Sequence, residues 1–249
     1  MSPRLEILLP TLSGFGNRLT SLLGHPYALA RTALTAEIRL AATCIKKSRI
    51  LDVGCGSMPY RCFFLDAASY DGLEIDQPRN RDNPNVTHWY DGKLFPLADN
   101  AYTGVICSQV LEHAFEPELL LAEIYRVLEP GGSLLLTIPF FWPEHEQPYD
   151  SQRFTSFGLI SRLEKLGFKN ITVIKTNPGL SCLFQLGIEW AESYGRRFHG
   201  RFATLWRLAM VLPYTIMNLA GFLYRSLPKV NRSRSKAELY LDLVVLAQR

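Results

Sequence analysis

The residues best suited to chemistry in this 249-residue chain are a pair of glycines, a few acids and one histidine. Asp52-Val53-Gly54-Cys55-Gly56 sets an acid just before two glycines, where backbone can approach a ligand because no Cβ intervenes. Glu74 follows 22 residues after Asp52, near the roughly 20-residue separation at which an acid reaches a ribose in nucleotide-binding α/β folds. A carboxylate can accept from both ribose hydroxyls, which accounts for the residue type. Asp76 is the second acid of that run; its other reading is a solvated residue opening the loop Gln77-Pro78. His145 stands in an aromatic and polar stretch, Pro139 to Asp150, and is the best general-base candidate by pKa. Its alternative is structural, with His145 and Arg153 holding that loop together through Asp150 and Glu146. The spacing excludes a dinucleotide fingerprint, because the third glycine of G-x-G-x-x-G falls on Pro59. The phosphate loop G-x-x-x-x-G-K-[ST] is also absent from the sequence.

These residues need a scaffold, and the apolar pattern supplies one. Ile50, Leu51 and Val53 read as a short buried strand that runs into the glycine turn, with Pro59 suited to the first turn of a following helix. Tyr70 to Asp76 reads as a second strand ending in acids. Val105, Ile106 and Cys107 read as a buried fourth strand, with Ser108 and Gln109 at its carboxyl end, where such sheets bind ligands. Leu120, Ile124, Val127 and Leu128 recur at helical spacing until Pro130-Gly131-Gly132 stops the helix, and Ser133 to Ile138 is the fifth strand. Residues 26–47 read as an amphipathic helix over the sheet and the pocket. Glu238 to Ala247 reads as the last strand, pairing beside Lys169–Thr176.

Taken in order, these motifs resemble the class I S-adenosylmethionine (SAM)-dependent methyltransferases, most closely the small bacterial methyltransferase type 11 group. The resemblance runs over residues 50–176. Asp-Val-Gly-Cys-Gly is similar to the family's first motif, Gly72-Leu73-Glu74 to its ribose-binding strand end, and Arg126-Val127-Leu128-Glu129-Pro130-Gly131-Gly132 to its helix–L-x-P-G-G–strand signature. It implies SAM as cofactor, held by Asp52, Gly54, Cys55, Gly56, Glu74, Asp76, Asp91, Gly92, Ser108 and Gln109. Asp91 would accept from the adenine amino group; its other reading is an Asp-Gly turn. The segment around Pro139–Thr155 would cover the acceptor, with His145, Tyr149 and Arg153 facing it. Methyl transfer to a strong nucleophile can also proceed by positioning alone. Two departures stand out: Met58 replaces the third glycine of the first motif, and Thr103 replaces the family's aspartate before the fourth strand.

The implied fold is α/β: a Rossmann-like, seven-stranded, doubly wound sheet whose last strand is antiparallel. The expected organisation is one domain, with a helical cap (1–48), the core (49–179), a helical insertion (180–237) and the last strand (238–249). The five scattered cysteines show no CxxC pair and no metal-ligand spacing, so no metal is expected, and a reducing cytosol is favoured over a disulfide framework. Arg4, Glu6 and Arg18 interrupt any signal-peptide core.

The net charge of +4 is uneven, because nine Lys and Arg and no acid lie between Ser193 and Ala237. Within that zone, Leu208 to Tyr224 carries no charge, at the lower edge of a spanning length. A single crossing would strand the last β-strand on the wrong side. The insertion therefore reads as peripheral to an anionic inner-membrane surface, with Trp206, Tyr214 and Tyr224 at the interface, or as a lid or homodimer face. Nucleic acid is not an expected partner. The expected function is methyl transfer to a small-molecule, glycan or lipid-linked acceptor; the alternative is a SAM-binding or membrane-surface scaffold without transferase activity.

Overall fold

Strands buried on both faces mark the middle of the molecule. The structure is a computed structural model that describes residues 23–46, 48–78, 80–232 and 236–249. β1 (Arg49–Val53), β4 (Tyr102–Ser108), β5 (Leu128–Pro139) and β7 (Asp242–Gln248) are nearly continuous in buried residues, as strands covered by helices on both sides must be. β2 (Ser69–Ile75) and the three-residue β3 (His88–Tyr90) extend the sheet on one side, and β6 (Lys169–Lys175) closes the other. The order is β3-β2-β1-β4-β5-β7-β6. β7 is antiparallel to both β5 and β6, and the other pairings are parallel. This is the doubly wound sheet, with an antiparallel last strand, that the sequence predicts.

Alternate residues of one strand face different layers. Leu51 and Val53 pack with helices α2 (Pro117–Val127) and α3 (Ser156–Leu166), while Ile50 packs with α1 (Ala28–Ala42). Each fully buried Leu or Ile stabilises the fold by about 1.5–3 kcal/mol before entropy is counted. α3 begins at Thr155, whose hydroxyl accepts from the Gly158 N–H at 3.1 Å, and stops at left-handed Gly167.

Three expectations need correction. The helix expected after Pro59 is only a 3-10 turn, Arg61–Phe63. Met58, just before Pro59, is left-handed (φ 54°), so the chain has left the helical region where that helix would begin. The last strand starts at Asp242 rather than Glu238. Residues before it fasten the insertion instead: Gly179 N–H donates to the Leu239 carbonyl at 2.9 Å. The third correction concerns the insertion itself, α4 (Leu180–Gly195), α5 (Gly200–Ser226) and α6 (Pro228–Arg232). Tyr214 is buried, Trp206 packs over Gly195 and the Tyr224 hydroxyl lies over Gly179. These aromatics face the protein because helix α5 turns that side toward α4 and α1, where Asn218 Nδ2 donates to the carbonyls of Leu23 and His25. No helix among the described residues is long and apolar enough to cross a membrane. Residues 1–22, where Arg4, Glu6 and Arg18 lie, and residues 233–235, with Arg234, fall outside the described residues.

Candidate functional site

The register of the sheet gathers the predicted cofactor residues at one end. Val53 pairs with Leu73 and with Cys107, so Gly54, Glu74 and Ser108 lie level at the carboxyl ends of neighbouring strands. Gly54 has φ +65°, and a Cβ there would come within 2.4 Å of Val110. Gly56 has φ +47° and nothing within 4 Å of where a Cβ would sit. The first glycine is thus demanded by packing, whereas the second leaves open space over the loop. Glu74 reaches across that loop: its Oε2 accepts from the Gly56 N–H at 3.2 Å, and its Oε1 from Asn80 Nδ2 at 3.3 Å. Oε1 also accepts from the Ile75 N–H at 3.2 Å, so the carboxylate is fixed beside the loop.

Asp52 is buried below the turn and accepts from the Tyr70 hydroxyl at 2.7 Å. Burial raises its carboxyl to about 7. It braces the loop from beneath. Burial also pushes the Cys55 thiol up to about 12, so this cysteine is an inert packing residue. Asp76 points to solvent and pairs with Arg81 at 2.8 Å, in keeping with its solvated reading. Asp91 Oδ1 accepts from the N–H groups of Lys93 and Leu94, and these bonds hold its carboxyl below the usual range. It forms the Asp-Gly turn with Gly92 (φ +89°) and keeps its second oxygen outside those bonds. Ser108 Oγ lies 2.8 Å from Thr137 Oγ1, to which Gln109 Nε2 donates at 3.2 Å.

The two departures from the family pattern are accounted for locally. Thr103 sits at the opposite end of the sheet, where its hydroxyl accepts from the Arg49 N–H at 3.0 Å and donates to the Lys46 carbonyl at 2.8 Å. It clasps the start of β1 and is remote from the glycine loop. Met58 folds down onto β2, its Cε lying where a Gly72 Cβ would be.

A cavity of about 490 Å³ opens beside Gln109. Its walls are α1 (Tyr27, Arg31, Leu34), the segment after β5 (Trp142 to His145), helix α4 (Glu189 and, just beyond it, Arg196) and the start of β7 (Asp242). The helix expected over 26–47 runs from Ala28 to Ala42, and its Arg31 and Leu34 line this cavity. His145 lines the cavity; Tyr149 and Arg153 do not. Arg153 instead makes a bidentate pair with Asp150, with Nη2 2.6 Å from Oδ2. Asp150 also accepts from the His145 N–H at 3.0 Å. Burial would raise the Asp150 carboxyl, but Arg153 and His145 overcome it and hold it at about 2. Asp150 is the node of the loop, as the structural reading of this segment requires.

Sequence reasoning missed Glu112 and His113, which follow β4 in a 3-10 turn (Leu111–His113). The Glu112 carbonyl accepts from the N–H groups of Ser151 and Gln152, which fastens this turn to the loop. That brings His113 against His145, with ring centroids 5.0 Å apart. Glu112 is fully buried, neither carboxylate oxygen has a hydrogen-bond partner, and burial pushes its carboxyl up to about 8. The adjacent Glu112-His113 pair was the available signal, but only folding brings in His145.

A glycine turn after the first strand, an opposed acid after the second and an antiparallel last strand define a Rossmann-like nucleotide-cofactor domain. Residues 51–136 match the type 11 family model described as a methyltransferase domain. A probable S-adenosylmethionine-dependent methyltransferase of Mycolicibacterium smegmatis is 28% identical over 144 residues, 53% of this chain and 55% of that protein. A demethylmenaquinone methyltransferase of Renibacterium salmoninarum is 33% identical over 102 residues, 39% of this chain and 43% of that protein. The chain thus spans about half the length of these curated relatives. A SAM-dependent methyltransferase from Archaeoglobus fulgidus superposes with TM-score 0.54 at 14% identity, covering 95% of this chain and all of that one (100%). The [4+2]-cyclase SpnF does so with TM-score 0.55 at 21% identity, covering 87% of this chain and 80% of that one. At these identities the superpositions establish the fold. Residues 51–136 are thus similar to the class I SAM-dependent methyltransferases of the type 11 kind, a resemblance that points to S-adenosylmethionine as cofactor. The open space over Gly56 and the acid opposite it fit that cofactor.

Proposed function

We propose that this chain transfers a methyl group from S-adenosylmethionine to a small-molecule, glycan or lipid-linked acceptor. The observation that carries this reading is the junction of two half-sites: the glycine loop with Glu74, and a separate cavity of about 490 Å³, both beside the β4 end at Ser108 and Gln109. Bound SAM supplies a methyl group on a sulfonium sulfur. The loop and Glu74 hold it, with Asp91 toward the adenine. The cavity residues orient the acceptor, which must stand in line and about 3 Å from the methyl carbon. Tyr27 and Trp142 supply flat ring surface, while Arg31, Arg196 and Glu189 supply polar partners for hydroxyls. His145 Nδ1 lies 3.0 Å from Asp150 Oδ2 and 3.4 Å from the Pro143 carbonyl, both acceptors. The proton therefore belongs on Nδ1, and Nε2 keeps the lone pair. Arg153 and Tyr149 act behind it as loop supports.

A SAM-binding scaffold without transferase activity is the alternative; the two departures from the family pattern, Met58 and Thr103, have local structural roles and do not favour it. The relatives named for quinone substrates favour a lipid-linked acceptor, a demethylmenaquinone enzyme among them. An exposed apolar stripe on α5 favours an anionic membrane surface as partner: Leu205, Leu208, Leu212, Ile216, Leu219 and Leu223 are each 47–67% exposed. Arg201 and Lys229 flank it, also exposed, and no acid lies between Ser193 and Ala237. Arg196 and Arg225 are engaged with the protein, with Glu189 and with the Leu29 carbonyl.

The test is methyl incorporation from labelled SAM into a cell extract, fractionated into lipid, glycan and protein. Label should enter lipid or glycan, and His145→Ala should lower it about 10²-fold with SAM binding kept. Label confined to protein, or absent with wild type, would contradict the reading.

A further inference from the structure

Glu112, His113 and His145 form a cluster that cofactor binding does not use. One donor atom from each lies within 4.8 Å of the others. We propose that Glu112, His113 Nε2 and His145 Nε2 bind one divalent first-row transition cation at the edge of the acceptor cavity. The proposal stands on the cluster's own geometry and holds whether or not methyl is transferred.

Both imidazoles are arranged as ligands are. His113 Nδ1 lies 3.3 Å from the Tyr149 carbonyl and His145 Nδ1 lies 3.4 Å from the Pro143 carbonyl. Each acceptor selects the tautomer that leaves Nε2 with its lone pair. A metal-bound histidine typically gives its other N–H to a carboxylate or a backbone carbonyl, and here both Nδ1 atoms meet backbone carbonyls. His113 Nε2 stands 3.8 Å from Glu112 Oε1. The Glu112 carboxylate is the second, independent observation. It is fully buried and has no hydrogen-bond partner for either oxygen, an arrangement that costs several kcal/mol unless a cation or donor meets it.

Two imidazoles and one carboxylate suit zinc, cobalt, iron or nickel more than magnesium or calcium, which prefer oxygen donors. Bonds of about 2.0–2.2 Å at a tetrahedral cation set donors roughly 3.3 Å apart, so closure asks for side-chain shifts of about 1 Å. The hydrogen bonds from the Ser151 and Gln152 N–H groups to the Glu112 carbonyl, 2.9 and 3.2 Å, already hold the two segments together. Three protein donors leave a position for water or an acceptor oxygen.

The experiment titrates chelator-treated protein with Co²⁺, without SAM, and follows the visible absorption of the ion. One Co²⁺ per chain, displaced by Zn²⁺, is expected. Glu112→Gln keeps the shape of the side chain, and it and His145→Ala should each weaken binding at least ~100-fold, since even supporting residues cost 10–100-fold. Circular dichroism of each variant separates lost binding from lost folding, and His145, on the partly exposed loop, serves if Glu112→Gln does not fold. Absence of Co²⁺ binding by wild type, or equal binding by both variants, would overturn the site. Binding of Mg²⁺ but neither Co²⁺ nor Zn²⁺ would overturn the assignment of the cation.

Discussion

Gly54 and Gly56 look alike in sequence and differ in physics. A methyl at Gly54 meets Val110 at 2.4 Å and a left-handed backbone, whereas at Gly56 it meets only the backbone penalty. Gly54→Ala should therefore destabilise the fold by about 3 kcal/mol, from overpacking and strain together. Gly56→Ala should cost about 1 kcal/mol of stability and act mainly on SAM affinity. Urea unfolding of the two variants checks this, and equal losses would contradict it. Asp52 gives a prediction about pH. Its carboxyl lies near 7 in the folded protein and at 3.8 unperturbed. Across that window the native state binds more protons than the unfolded chain, so stability falls as pH rises. The contribution is complete below about 3.8 and gone above about 7. Urea stability of wild type should fall more between pH about 4.5 and about 7.5 than that of Asp52→Asn, which still accepts from Tyr70; parallel curves would count against the raised carboxyl.

Among the elements, α5 separates two roles that the sequence blends. Its uncharged run 208–224 suggests one continuous apolar surface. The helix divides it: Tyr214, Asn218 and Gly221 face the protein, Gly221 within reach of Leu29 on α1, while the leucine stripe faces out. The interfacial aromatics were misread because only the packing against α4 decides which side of a helix is wet. Attachment through the outer stripe combines apolar burial with attraction to anionic lipid and should weaken as salt rises. Leu208→Glu with Leu212→Glu and Ile216→Glu should abolish vesicle binding and change thermal stability little, since all three side chains are exposed. If wild type binds no vesicles of any composition and sediments as two copies, the stripe is a dimer face.

For the molecule as a whole, the sheet that brings Gly54, Glu74 and Ser108 together was legible in the sequence and the cavity beside Gln109 was not. Gly54, Glu74 and Ser108 each stand at the end of a short strand, and the parallel register of such strands brings their ends level without further information. The glycine-loop helix was misjudged because Met58 turns left-handed before it can start. The cavity is assembled by α1, the post-β5 loop, α4 and β7, which are far apart in the chain, so no local pattern announces it. The same holds for His113 and His145, which meet only because Ser151 and Gln152 bond to Glu112. The claim underlying every functional step is that the glycine loop and Glu74 hold SAM. Calorimetric titration with SAM of wild type and Glu74→Ala tests it most directly. Two charge-assisted contacts of roughly 1.5–3 kcal/mol each are at stake. Wild type should bind SAM, and the variant, with its thermal unfolding little changed, should bind at least ~tenfold more weakly; equal affinity in the two proteins, or no binding by wild type, would contradict the site.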